Sequence, residues 1–133
     1  MVLKTKCMNA EPSVNDGLRI CVMRDSRIYN RHLALFQEKF KRPMYDMQLK
    51  SLAPPTWLKD DYQNGRISWK EYVKNFNLVV LDDKFDLIQA IAFAAKYSDI
   101  TLLCSEKTPE QCHRRLLAED CKKYEPNLEV IIE

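Results

Sequence analysis

The last third of the chain runs strand, helix, strand, and that order leaves few folds open. Ile100-Thr101-Leu102-Leu103-Cys104 is an apolar, β-prone run and the clearest strand in the sequence. Thr108, Pro109 and Gln111 then match the N-cap, N1 and N3 positions of a capping box, predicting a helix that runs to about Tyr124. Pro126 stops it, and Leu128–Ile132 reads as a final strand. A helix crossing between two strands of one sheet makes them parallel, with a right-handed connection. The class is therefore α/β: a small, largely parallel sheet flanked by helices in three layers.

The rest of the chain fits that frame. Val2–Cys7 alternates weakly as a strand, Asn9 to Gly17 is rich in turn formers, and Leu18–Met23 reads as a core strand. Residues 31–40 place Leu33, Phe36 and Phe40 on one helical face, with Pro43 as the stop. Pro54-Pro55 breaks the chain before a short helix, Trp57–Gln63, capped by Thr56 and closed by Asn64-Gly65. Ser68 and Glu71 form a capping box for a helix to about Asn77. Asp82 or Asp83 caps the next, in which Phe85, Ile88, Ala92 and Ala95 make the buried stripe. Tyr62 and Trp69 read as core aromatics of this helical layer.

At 133 residues, 46% hydrophobic and 30% charged, with 2 Gly and 6 Pro, the sequence reads as a single domain over residues 1–133 and excludes disorder and low complexity. No apolar run approaches a membrane span, and the first residues lack a secretion-signal core, so the expectation is a cytoplasmic protein without a membrane partner. Lys and Arg number 21 against 19 Asp and Glu, a balance that does not by itself point to nucleic acid. Five cysteines without framework spacing read as thiols.

In parallel sheets ligands bind beyond the carboxyl ends of the strands, where Cys104 delivers the chain into Ser105-Glu106-Lys107 and then Cys112-His113-Arg114. Leu117, Cys121 and Tyr124 define the buried stripe of the following helix, and His113 lies one turn before Leu117 on it. Cys104 and His113 are thus expected to meet at that helix's N-terminus, which favours a thiolate or a bound anion. Cys104 is the candidate nucleophile or redox thiol, His113 its base, and Glu106 an orienter or base. Arg114 and Lys107 are candidate anion holders, Cys112 flanks the pair, and Arg24, just past a core strand, reaches the same edge. Each residue also has an ordinary reading: a small buried thiol, a satisfied core histidine, solvated loop charges.

Zinc is an alternative through Cys104, Cys112, His113 and Cys121. The spacing is not a standard zinc pattern, and neighbouring helical residues such as Cys112 and His113 diverge by roughly 100°. The pattern calls for no metal and no cofactor. A second region is Arg24 to Lys50: residues 18–50 hold eight Lys/Arg and three Asp/Glu, with Tyr29, Phe36, Phe40 and Tyr45 among Arg27, Arg31, Lys41 and Arg42. Such mixing suits nucleic-acid binding, but it equally describes an amphipathic helix with its aromatics inward, which is the preferred reading.

The sequence resembles the domain of unknown function 488 family, including its YeaO-like members. The match is carried by Leu102-Leu103-Cys104-Ser105-Glu106-Lys107 with Cys112-His113-Arg114-Arg115-Leu116-Leu117-Ala118-Glu119, by Leu49–Pro55 with Trp69-Lys70-Glu71-Tyr72, and by the opening through Arg24. The resemblance implies a compact α/β domain and no assigned activity. Past Arg24 the family often has an aromatic-Pro-Arg-Gly type loop, where this chain has Asp25-Ser26-Arg27-Ile28-Tyr29. The strand-Cys-loop-helix outline is similar to rhodanese and Cys-phosphatase loops, but Arg114 stands ten positions after Cys104, so their Cys-x5-Arg spacing is absent. The expected function is a small thiol-dependent enzyme acting on an anionic, phosphate-bearing ligand. The alternatives are a nucleotide or nucleic-acid binding module and a non-catalytic interaction protein.

Overall fold

The structure is a computed structural model that describes residues 1–24 and 30–133. Its centre is a five-stranded sheet formed by β1 (Val2–Cys7), β2 (Leu18–Cys21), β3 (Met47–Gln48), β4 (Ile100–Cys104) and β5 (Glu129–Ile132). The order is β3-β2-β4-β1-β5, and every pairing is parallel. The sheet is thus α/β, as its strand–helix–strand ending implies. The last two strands share the sheet but do not pair with each other, because β1 lies between them.

The helices are α1 (Asn30–Phe40), α2 (Thr56–Gln63), α3 (Trp69–Phe76), α4 (Phe85–Ala95) and α5 (His113–Tyr124). Alternation along β4 divides the core. Ile100 and Leu102 pack with Phe76, Ile88, Ala92 and Leu117 on one side. Leu103 joins Met8, Cys21, Phe36 and Met44 on the other, under α1. Helices therefore lie on both faces, as parallel strands require.

Local chemistry explains most boundaries. Ser68 accepts from the Glu71 N–H while the Glu71 carboxylate accepts from the Ser68 N–H, and this box starts α3. Asn64 ends α2, and Gly65 follows with φ 73°. Lys41, with φ 58°, ends α1 before Pro43 is reached.

Three expected features differ. The N-cap of α4 is Lys84, without a side-chain cap bond, and not Asp82 or Asp83. A π-helical turn, Asn77–Leu81, carries the chain onward, and the Asp82 N–H is spent on the Asn77 carbonyl. The buried stripe of α4 is Ile88, Ile91, Ala92 and Ala95, an i, i+3, i+4, i+7 face complete without Phe85, which is 53% exposed in the first turn. Finally, α5 begins at His113 and not at Pro109. Residues 108–111 form a turn, in which the Cys112 N–H donates to the Pro109 carbonyl at 3.2 Å. The Gln111 side chain is not free to close a capping box, since its Oε1 accepts the Tyr62 hydroxyl at 2.6 Å.

In the basic region, Phe36 is buried and packs against Phe40 at 4.7 Å, so its ring belongs to the core under α1. Arg42 pairs with Asp46 at 3.6 Å. Arg27 and Tyr29 lie outside the described residues. Among the described residues no helix is long and apolar enough to cross a membrane.

Candidate functional site

A cavity of about 900 Å³ opens at the carboxyl edge of the sheet. Its floor is the end of β4 and the start of α5; its walls come from the Ala53-Pro54 segment, α2 and Tyr72. The parallel strands place the floor here, and the proline pair sets the wall by stopping the chain before α2.

Cys104 and His113 meet on that floor. Cys104 Sγ lies 3.8 Å from His113 Nδ1, and both residues line the cavity although each is more than nine-tenths buried. The other ring nitrogen, Nε2, lies 2.7 Å from the Val22 carbonyl oxygen. A carbonyl only accepts, so Nε2 carries a hydrogen and Nδ1 faces the thiol. Val22 follows β2, so two neighbouring strands fix the imidazole between them. Phe76 packs on the ring from α3 at 5.9 Å.

Cys112 completes the group. Its backbone is extended (φ −131°, ψ 141°) because it is the N-cap of α5, and not a residue inside the helix. The helical divergence expected to part Cys112 from His113 therefore does not apply. The sulfurs of Cys104 and Cys112 and a ring nitrogen of His113 all lie within 4.8 Å of one another.

These neighbours set the protonation. The Cys104 thiol is held well below its usual range, first by a hydrogen bond from Cys112, then against burial by the charge and hydrogen bond of His113 and by the Glu106 N–H. Cys112 is pushed up by the same contact with Cys104 and by burial, so it keeps its proton. Burial opposes charge on His113, but the Cys104 thiolate and the Val22 carbonyl outweigh it and raise its pKa. These shifts favour the deprotonated form of Cys104, the protonated form of His113 and the neutral thiol of Cys112.

The other expected residues take different places. Glu106 lines the cavity with an exposed side chain, and its backbone carries its contacts: the N–H serves Cys104 and the carbonyl accepts from Arg114 at 2.7 Å. Val22, and not Glu106, orients the imidazole. Arg114 is fully buried outside the cavity lining. Its guanidinium donates to the main-chain oxygens of Glu106 and Glu133 and to Cys112 Sγ at 3.4 Å. Lys107 is exposed and does not line the cavity. Arg24 does line it, steadied by the carbonyls of Ala53 and Pro54 at 3.4 and 3.3 Å.

Lys59 and Tyr62 of α2 also line the cavity, and Tyr62 is more than a core aromatic, since its hydroxyl reaches Gln111 at 2.6 Å. The sequence signal that could have found them is the proline pair, which sets α2 against the β4 edge.

The three donor atoms are close enough to share a soft cation. Two observations work against a dication. Cys121, the fourth sequence candidate, is occupied elsewhere, its thiol reaching the Ile88 carbonyl at 3.7 Å. The Arg114 guanidinium already touches the Cys112 sulfur, placing one positive charge against another.

Fold and site together define a parallel α/β domain with a buried Cys–His cluster at the carboxyl edge of its sheet. The chain belongs to the DUF488-N3a family, described as the active DUF488-N3 subclade, which it matches over residues 3–125. No curated protein and no solved structure matches it.

Proposed function

We propose that the protein is a thiol-dependent enzyme in which Cys104 is the nucleophile and His113 its acid–base partner. The observation that carries this reading is the 3.8 Å approach of Cys104 Sγ to His113 Nδ1 on the floor of an open cavity. A thiolate attacks an electrophilic centre, and an imidazolium beside it protonates the leaving group. The ligand is small and carries an anionic group, such as a phosphate. Arg24, already a candidate at this edge, and Lys59 on the cavity wall hold the anion in place of Arg114 and Lys107, which do not line the cavity. Glu106 faces the same cavity and supports Cys104 through its backbone. The family's description as an active subclade agrees with an enzyme. A cytoplasmic setting suits it, because a thiolate needs a reducing compartment.

The test is alkylation mapped by mass spectrometry. At pH 7 iodoacetamide is expected to modify Cys104 at least tenfold faster than Cys21 or Cys121, and His113→Ala is expected to erase most of that advantage. Uniformly slow modification of all three in the wild type would remove the nucleophile and the proposal with it.

A further inference from the structure

We propose that Cys112 is a resolving thiol, so that Cys104 and Cys112 close a reversible disulfide and the site exchanges electrons with a small organic disulfide. This inference rests on Cys104 being the attacking thiolate and names a substrate class for it.

Three observations carry it. The two sulfurs are no more than 4.8 Å apart, so reaching a bond of about 2.05 Å takes at most roughly 3 Å of relative movement. Rotation of two side chains, one at a strand end and one at an N-cap, supplies movement of that size. Next, each sulfur has its own cationic neighbour: the His113 imidazole for Cys104 and the buried Arg114 guanidinium, 3.4 Å away, for Cys112. Arg114 Nε has no hydrogen-bond partner, and an arginine committed to two main-chain oxygens and a sulfur is well placed to steady an anion on that sulfur. Lastly, both cysteines line a cavity whose volume fits an organic substituent on a mixed disulfide.

The electrons and protons balance without a further reactant. The Cys104 thiolate attacks one sulfur of R–S–S–R, forming Cys104–S–S–R, and the expelled RS⁻ takes the imidazolium proton. The neutral imidazole then accepts the Cys112 proton. The Cys112 thiolate attacks the Cys104 sulfur, closing the protein disulfide, and the second RS⁻ leaves with that proton. Two protein thiols are oxidised, and one substrate disulfide is reduced to two thiols. Excess RSH runs the sequence backwards.

The experiment treats the reduced full-length chain with dithiodipropionate, whose carboxylates suit Arg24 and Lys59, and follows released thiol and non-reduced peptides by mass spectrometry. The expected result is two equivalents of thiol released and a Cys104–Cys112 link that dithiothreitol reverses. Cys112→Ala is expected to stop at a mixed disulfide on Cys104 with one equivalent released. A wild-type protein that also stops at the mixed disulfide on Cys104, or links Cys104 to Cys7, overturns the resolving role and leaves the thiolate standing. No adduct on Cys104 removes both readings. The wild-type result alone decides, so poor folding of the variant does not protect the proposal.

Discussion

Cys104 shows how neighbours turn a buried thiol into a reactive one. Burial alone drives thiols the other way: Cys21 is pushed up to about 11 and Cys121 to about 12 by desolvation first of all. Cys104 is as buried as they are, yet its pKa moves down, because Cys112 donates to it and His113 supplies a positive charge. The reactive form is the deprotonated one. A lowered pKa therefore keeps Cys104 reactive at neutral pH, and reactivity is lost as the pH falls through that lowered value. The alkylation rate of Cys104 should thus inflect well below the ~8.5 of a free thiol. Cys112→Ala should move the inflection upward, and Cys112→Ser, which keeps a donor, should move it less. A wild-type inflection near that of a free thiol would show that neither neighbour acts on the sulfur.

At the scale of elements, a single close approach joins the turn before β2 to the turn before β4. Gly17 takes φ 61°, and a Cβ there would lie 2.0 Å from the Asp99 carbonyl oxygen. The same oxygen accepts the Leu18 N–H at 2.9 Å, so the turn cannot move away without losing the start of the β2–β4 register. Gly65, with φ 73°, has nothing within 4 Å of its would-be Cβ. Gly65→Ala should cost only the left-handed strain, about 1–2 kcal/mol. Gly17→Ala should cost clearly more, and urea denaturation of the two variants makes the comparison. That approach joins distant residues; local chemistry, by contrast, could be read from the chain wherever the partners are neighbours in sequence. Val2–Cys7 and Ile100–Cys104 match β1 and β4 end to end, and the Ser68–Glu71 box is formed. Sequence pattern and structure part where a distant residue competes. Thr108, Pro109 and Gln111 have the pattern of a helix start, but Tyr62 captures Gln111 from another element and α5 begins later. The same displacement leaves Cys112 extended, which is why its approach to His113 could not be inferred from helical periodicity. Cys104 and His113 were legible because a strand end and a helix start must meet at the edge of a parallel sheet. Lys59 was not, since the Pro54-Pro55 pair that sets α2 against this edge marks where the helix starts but not which of its side chains faces the cavity.

Across the whole molecule, the sheet separates two buried polar systems. The thiol site sits at the end of β4 on the side of α5, while Lys4, Lys6 and Arg19 on β1 and β2 converge on Asp16 near the opposite core. Asp16 is fully buried, 2.6 Å from Arg19 Nη1 and 3.1 Å from Lys6 Nζ. It also accepts the Ser13 N–H at 3.0 Å. Burial works to raise its pKa, but the Ser13 N–H, Lys6 and Arg19 prevail and lower it from 3.8. A carboxyl lowered on folding contributes stability that is complete above its unfolded pKa and lost as pH falls through the folded value. The fold should therefore weaken below about pH 4, with Asp16 a main contributor. Asp16→Asn keeps the shape of the side chain but strands three cations, a change worth about 3–5 kcal/mol when a buried pair is broken. For a chain of this size that lowers Tm by roughly 10–20 °C. The same variant should also lose much of the wild-type dependence of Tm on pH between about 2 and 5, since the titrating group is gone. Because the strands of the sheet stand between the clusters, Cys104 alkylation in folded Asp16→Asn should run at the wild-type rate. Calorimetry and alkylation on one sample check both halves. A stable variant would show that the cluster does not anchor the sheet, and a slowed Cys104 would show that the two faces are coupled through β1 and β4.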